Sequence, residues 1–174
     1  MCTLTLFCGP PGAGKTTLAR RLEADGVGLR LCTDDWQDEL GIPMTDYAAH
    51  ERLQLRLYGL GLDLLSRGVD VVLEDGLWRR EERTRVFADA RARGARISWH
   101  VFEVPAEELR RRLAVRRQLA EPGTAPVTDA ELTAILAAFE PPTAEELAAV
   151  DEVTVHRPAE NLAPADNRFG RPSV

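Results

Sequence analysis

Residues 9–16 read Gly9-Pro10-Pro11-Gly12-Ala13-Gly14-Lys15-Thr16, a match to G-x-x-x-x-G-K-[ST], the sequence of a phosphate-cradling loop. The flanks agree with it. Thr3-Leu4-Thr5-Leu6-Phe7-Cys8 is a short β-prone run that reads as a strand, and 17–24 reads as a helix. Glycines let the backbone curl so that successive N–H groups face one anion, and the helix behind adds the positive end of its dipole. In this pattern Lys15 reaches the β- and γ-phosphates of a nucleotide and the Thr16 hydroxyl ligates Mg²⁺. Residues 9–17, namely Gly9, Pro11, Gly12, Ala13, Gly14, Lys15, Thr16 and Thr17 among them, are therefore the expected seat of ATP·Mg²⁺.

The chain has 174 residues and a formal net charge of −6. That length suits one domain with a sizeable core. The acidic balance argues against a sequence-blind coat for nucleic acid. Cys2, Cys8 and Cys32 are scattered, with no C-x-x-C pair. Reduced thiols are expected and a structural zinc is not. No basic-apolar leader precedes the first strand and no apolar run reaches about 18 residues. A soluble, cytoplasmic protein without a membrane contact is expected.

Strand and helix signals alternate along the rest of the chain. Strands are expected at 29–33, 69–74, 96–103 and 153–155. Helices are expected at 46–67, 79–93, 105–118, 129–139 and 143–146. Leu53, Leu57, Leu60 and Leu64 form the apolar stripe of the longest helix. A loop is expected at 121–126. Alternation of this kind implies a parallel sheet covered on both faces, with ligands at the carboxyl ends of the strands. The expected architecture is a three-layer α/β/α domain over 1–156 with a mostly parallel five-stranded sheet. A helical lid covers about 106–140, and 157–174 forms an irregular tail.

Candidate chemistry collects at that end of the sheet. Asp34 is the first residue past the second strand, where a carboxylate can orient an acceptor hydroxyl and take its proton. Asp35 is the second candidate; a plain helix cap is the other use of Thr33-Asp34-Asp35. Glu74 and Asp75 end the third strand, and Asp75 can hold Mg²⁺ or face the substrate. Arg112 and Arg116 are four apart on one helix, so both point the same way, either to clamp phosphates or to pair with Glu107 and Glu108. Arg79 and Arg83 follow Asp75 and are candidates to reach an acceptor or a phosphate. Trp36 and Trp78 either stack on a flat acceptor or pack. His50, His100 and His156 are isolated in sequence and suggest neither a triad nor a metal site.

With these motifs in place, the chain resembles small P-loop kinases of the group containing polynucleotide 5′-hydroxyl kinase, zeta toxin and chloramphenicol phosphotransferase. The resemblance covers most of 3–140. It is carried by the glycine loop, by Asp34-Asp35-Trp36, by Asp75 before an arginine-bearing helix, and by Phe102-Glu103-Val104-Pro105. Arg112-x-x-x-Arg116 completes it. It implies a P-loop NTPase fold, Asp34 as general base, and lid arginines on the nucleotide phosphates, with Arg116 contributing to transfer. Gln37 stands where polynucleotide kinase carries an arginine that holds the substrate's phosphate. The expected activity is therefore transfer of the γ-phosphate of ATP to a hydroxyl of a small molecule. A nucleic-acid 5′-hydroxyl kinase and a nucleotide-binding switch are the alternatives. The sequence does not reveal the oligomeric state.

Overall fold

The computed structural model describes residues 1–119 and 127–158. The expected loop at 121–126, and the expected tail beyond residue 158, lie outside the described residues. Five strands, β1 (Thr3–Cys8), β2 (Leu29–Cys32), β3 (Val71–Glu74), β4 (Arg96–Phe102) and β5 (Glu152–His156), form one sheet in the order β2-β3-β1-β4-β5. All four pairings are parallel, which sharpens the expectation of a mostly parallel sheet. The helices are α1 (Lys15–Ala24), α2 (Thr33–Glu39), α3 (Tyr47–Leu65), α4 (Arg80–Ala92), α5 (Ala106–Leu119), α6 (Asp129–Ala138) and α7 (Ala144–Ala148).

The two faces of the sheet carry two separate apolar clusters, because side chains alternate along each strand. Leu4, Leu6, Cys8, Val71, Leu73, Ile97 and Trp99 face α3 and α4, against Leu57, Leu65, Val86, Phe87 and Ala90. Phe7, Val72 and Phe102 face α1, α5 and α6, against Ala19, Leu109, Leu113 and Leu132. A parallel sheet buried this way stabilises through its apolar runs; truncating one fully buried leucine, such as Leu6, costs about 2–5 kcal/mol.

This topology positions the site. β1 and β3 are neighbours, yet the chain leaves β1 for the α1 face and β3 for the α4 face. A crevice opens where neighbouring strands part in this way. The one element missing from the sequence reading is α2. It is only seven residues long, too short for a periodic signal, and its first turn is Thr33-Asp34-Asp35. No described helix is long and apolar enough to cross a membrane.

Candidate active site

The loop between β1 and α1 needs its glycines. Gly12 and Gly14 have φ of 80° and 108°, where a side chain would be strained. A Cβ on Gly9 would stand 2.9 Å from that of Phe102. Gly14 caps α1 without a side-chain hydrogen bond, so the first N–H groups of the helix stay open to the cleft. Lys15 folds back on the loop and donates to the carbonyls of Gly9 at 2.8 Å and Pro10 at 3.0 Å. Burial pushes its ammonium down to about 8, against the pull of Glu74, Asp75 and Asp34.

A cleft of about 1090 Å³ opens in front of this loop. Pro11, Gly12, Gly14, Lys15, Thr16 and Thr17 line one side; Asp34, Glu74, Asp75 and Trp78 come from the strand ends. Arg112 and Arg116 of α5 line it from above, with Val127, Glu131 and Ile135 from α6 and its approach. The structure thus brings the loop, Asp34, Asp75 and both α5 arginines to one cavity. Gly9 and Ala13 belong to the same loop without lining the cavity. Arg112 donates to the carbonyls of Gly12 at 3.3 Å and Ala13 at 3.2 Å, and to Glu108 at 2.7 Å. Hydrogen bonds from Arg111 and Arg112 hold the Glu108 carboxyl at about 2.

Asp34 is half-exposed at the head of α2. Burial raises its carboxyl above the ordinary range, with Glu74 and Asp35 adding to this and His50 and Arg116 opposing it. Asp75 is held at both oxygens: Gln54 Nε2 donates at 2.6 Å and the Gly76 N–H at 2.7 Å. Glu74 accepts from Arg30 Nε at 2.7 Å. Trp78 packs into the site rather than standing free, donating its indole N–H to the Gly9 carbonyl at 3.2 Å.

Three expected substrate residues lie elsewhere. Asp35 turns away from the cleft and pairs with Arg30 at 2.6 Å and Arg20 at 3.3 Å. Consecutive helical residues point about 100° apart, so Asp34 and Asp35 cannot share a task. The hydrogen bonds and charges of Arg30 and Arg20 overcome the effect of burial and hold Asp35 below its ordinary range. Arg79 is exposed at the start of α4, outside the cleft. Arg83 is buried and paired with Glu146 at 2.7 Å; it also donates to the carbonyls of Leu77, Trp78 and Glu140. Glu140 is clamped to the same turn, its N–H on the Trp78 carbonyl at 2.9 Å and its carboxylate on the Arg80 N–H at 2.6 Å. Arg83 therefore braces the turn behind Asp75.

His50, read from the sequence as isolated, and Gln54, not named there, both line the cleft. The signal was their spacing of four on α3, along one edge of the leucine stripe. Nor are the histidines isolated in space. His100 and His156 are hydrogen-bonded across β4 and β5 at 3.0 Å, and His50 Nδ1 is 3.8 Å from Asp34 Oδ1. Gln37 is fully buried, its Nε2 on the Pro43 carbonyl at 2.7 Å and its Oε1 2.8 Å from His50 Nδ1. Cys8 and Cys32 are buried thiols, pushed by burial to about 11 and about 12.

A glycine loop between a central strand and a helix, with acids at the neighbouring strand ends, defines a P-loop nucleotide-binding domain. The chain belongs to the AAA domain family, whose model matches residues 4–142. No match to a curated protein was found. Several solved structures share the fold. Kti12 of Chaetomium thermophilum, in complex with ADP-AlF3, is 14% identical with a TM-score of 0.68, over 91% of this chain and 91% of that one. A gluconokinase of Sinorhizobium meliloti 1021 is 17% identical with a TM-score of 0.60, over 91% and 84%. A chain of the Pnkp1/Rnl/Hen1 RNA repair complex is 21% identical with a TM-score of 0.65, over 79% of this chain and 43% of that one.

Proposed function

We propose that this chain is an ATP-dependent phosphotransferase that moves the γ-phosphate of ATP to a hydroxyl of a small-molecule acceptor. The observation that carries this reading is one cleft lined by Lys15 of the loop, Asp34 of α2 and Arg116 of α5. The phosphates lie along 9–17, with Lys15 leaving the Gly9 and Pro10 carbonyls for the β- and γ-oxygens. Asp34 takes the proton of the acceptor hydroxyl as its oxygen bonds to the γ-phosphorus. The bond from that phosphorus to the β–γ bridging oxygen breaks, and ADP leaves. Arg112 and Arg116 neutralise the charge that gathers on the transferring phosphoryl group and the leaving oxygen.

The donors present fit Mg²⁺, which takes hard oxygen ligands and leans on the substrate's phosphates. Thr16 supplies a hydroxyl, and Asp75 a carboxylate already oriented by Gln54 and Gly76. When bound, the ion would offset the charge of the phosphates. Asp75 stands where it also faces an acceptor. Kinases among the proteins of like fold support the reading. The cytoplasm, where ATP and Mg²⁺ are abundant, is the setting it requires.

A second reading, transfer to a nucleic-acid 5′-hydroxyl, draws on the likeness to a chain of the RNA repair complex. The buried amide of Gln37 counts against it, since it presents no charge to a strand's phosphate. Incubation with γ-labelled ATP, Mg²⁺ and an acceptor panel tests both. Label on one acceptor class, lost in Lys15→Ala and Asp34→Asn, supports a kinase and names its substrate. ATP binding without transfer to any acceptor would favour a nucleotide-binding switch.

A further inference from the structure

The wall of the cleft formed by α3 and the ends of β2 and β3 has hydrogen-bond roles that its own neighbours dictate. The Pro43 carbonyl can only accept, so the Gln37 amide turned to it is the NH₂ end, at 2.7 Å. Its Oε1 therefore faces His50 and accepts the Nδ1–H at 2.8 Å. That places the proton of the neutral imidazole on Nδ1 and leaves Nε2 as a lone-pair acceptor. His50 lines the cleft with 34% of its side chain exposed. Four residues on, Gln54 spends one Nε2–H on Asp75 at 2.6 Å and keeps the other, together with Oε1. An imidazole lone pair and an amide N–H side by side match a hydroxyl, which donates and accepts at once.

A phosphate or carboxylate would meet the opposite pattern. It needs donors and positive charge, and here it would face the lone pair of His50 and the carboxylates of Asp34 and Asp75. None of the cleft-lining residues between 44 and 54 or between 74 and 82 is Lys or Arg. The cationic side chains of the cleft, Lys15, Arg20, Arg111, Arg112 and Arg116, come from α1 and α5. Trp78, with its indole N–H already engaged by Gly9, offers a flat apolar surface beside this wall.

We propose that the acceptor is an uncharged compound with neighbouring hydroxyl groups. One hydroxyl donates to Asp34 and receives the phosphoryl group; the next is read by His50 Nε2 and the free N–H of Gln54. This deepens the kinase reading and rests on it. Two sources share the chemistry, a free sugar or polyol and the ribose of a nucleoside, and they form separate arms of the test.

The test separates binding from transfer. Calorimetry in the presence of a non-hydrolysable ATP analogue and Mg²⁺ would follow a panel of aldoses, alditols and nucleosides. Each compound would be paired with its deoxy, phosphorylated and carboxylate counterparts. Expected is binding of a neutral vicinal diol, weakened about tenfold by removal of the second hydroxyl, by His50→Phe or by Gln54→Ala. The losses should not add when the deoxy compound meets either variant, because they report one contact. Tighter binding of an anionic counterpart, equal binding of the deoxy compound, or no binding of any neutral diol overturns the proposal. Diol-specific binding with the label remaining on ATP would overturn the kinase reading instead and leave the recognition site standing.

Discussion

The ammonium of Lys15 donates to the carbonyl oxygen of Gly9 at 2.8 Å, so the residue proposed to serve the phosphates is held by its own loop. In the proposed complex, nucleotide binding exchanges these carbonyls for anionic oxygens. Burial holds the ammonium at about 8 in the free protein, and a bound anion raises it again. At pH 9 the free group is mostly neutral, so ATP binding takes up a proton; at pH 6.5 the group is charged in both states and takes up none. Calorimetry of ATP binding in buffers of different ionisation enthalpy should show uptake at pH 9 only, and Lys15→Arg should abolish it.

Asp34→Asn is expected to lower kcat by about 10²–10⁴-fold while ATP still binds. The carboxyl is raised above its ordinary value by burial. The active, ionised form is thus lost as pH falls through that raised value, and the acid limb of the rate profile should lie above the normal aspartate range. The same sign predicts a stability effect. The folded state holds its proton more tightly than the unfolded chain, so ionisation near neutral pH destabilises the protein. Thermal melts of Asp34→Asn should exceed wild type at pH 7 and converge with it at pH 3.

The two arginines of α5 should separate kinetically. Arg112 already holds loop carbonyls and Glu108, so Arg112→Ala should raise KM for ATP more than it lowers kcat. Arg116, proposed to meet developing charge, should lose about 10³-fold or more in kcat on truncation. Steady-state kinetics over ATP concentration reads both.

Arg83→Ala should fail as a folding variant, not as a substrate-binding one. It strands the buried carboxylate of Glu146 and three carbonyls, at a cost of about 3–5 kcal/mol. For a chain of this size that lowers Tm by roughly 10 °C. The double variant Arg83→Met with Glu146→Leu should recover much of the loss, because no charge is then left unpaired. Scanning calorimetry of both variants beside the wild type decides it.

The loop, both flanking elements and the parallel sheet were legible because each has a local signal: a fixed glycine spacing, an apolar run, a leucine stripe. Asp34, Asp75, Arg112 and Arg116 were legible as neighbours because parallel strands deliver their carboxyl ends to one edge. What local signals lack is the direction of a side chain relative to distant partners. Asp35 goes to Arg30 and Arg20, Arg83 goes to Glu146, and Gln37 is turned inward against Pro43. Each choice depends on a residue brought close by the fold. His50 and Gln54 escaped for the same reason, since their significance lies in Gln37 and Asp75 across a turn.

The clamp of Glu140 on the Trp78 turn has a consequence for how α5 and α6 operate. The segment that carries them is anchored where it leaves β4 and again at Glu140. Arg112 already rests on the phosphate loop, on the Gly12 and Ala13 carbonyls. In the proposed reaction, the effective concentration of Arg112 and Arg116 at the γ-phosphate is that of groups on a chain held at both ends, as in a linked ligand. Loosening Glu140 would dilute Arg112 and Arg116 without touching either of them.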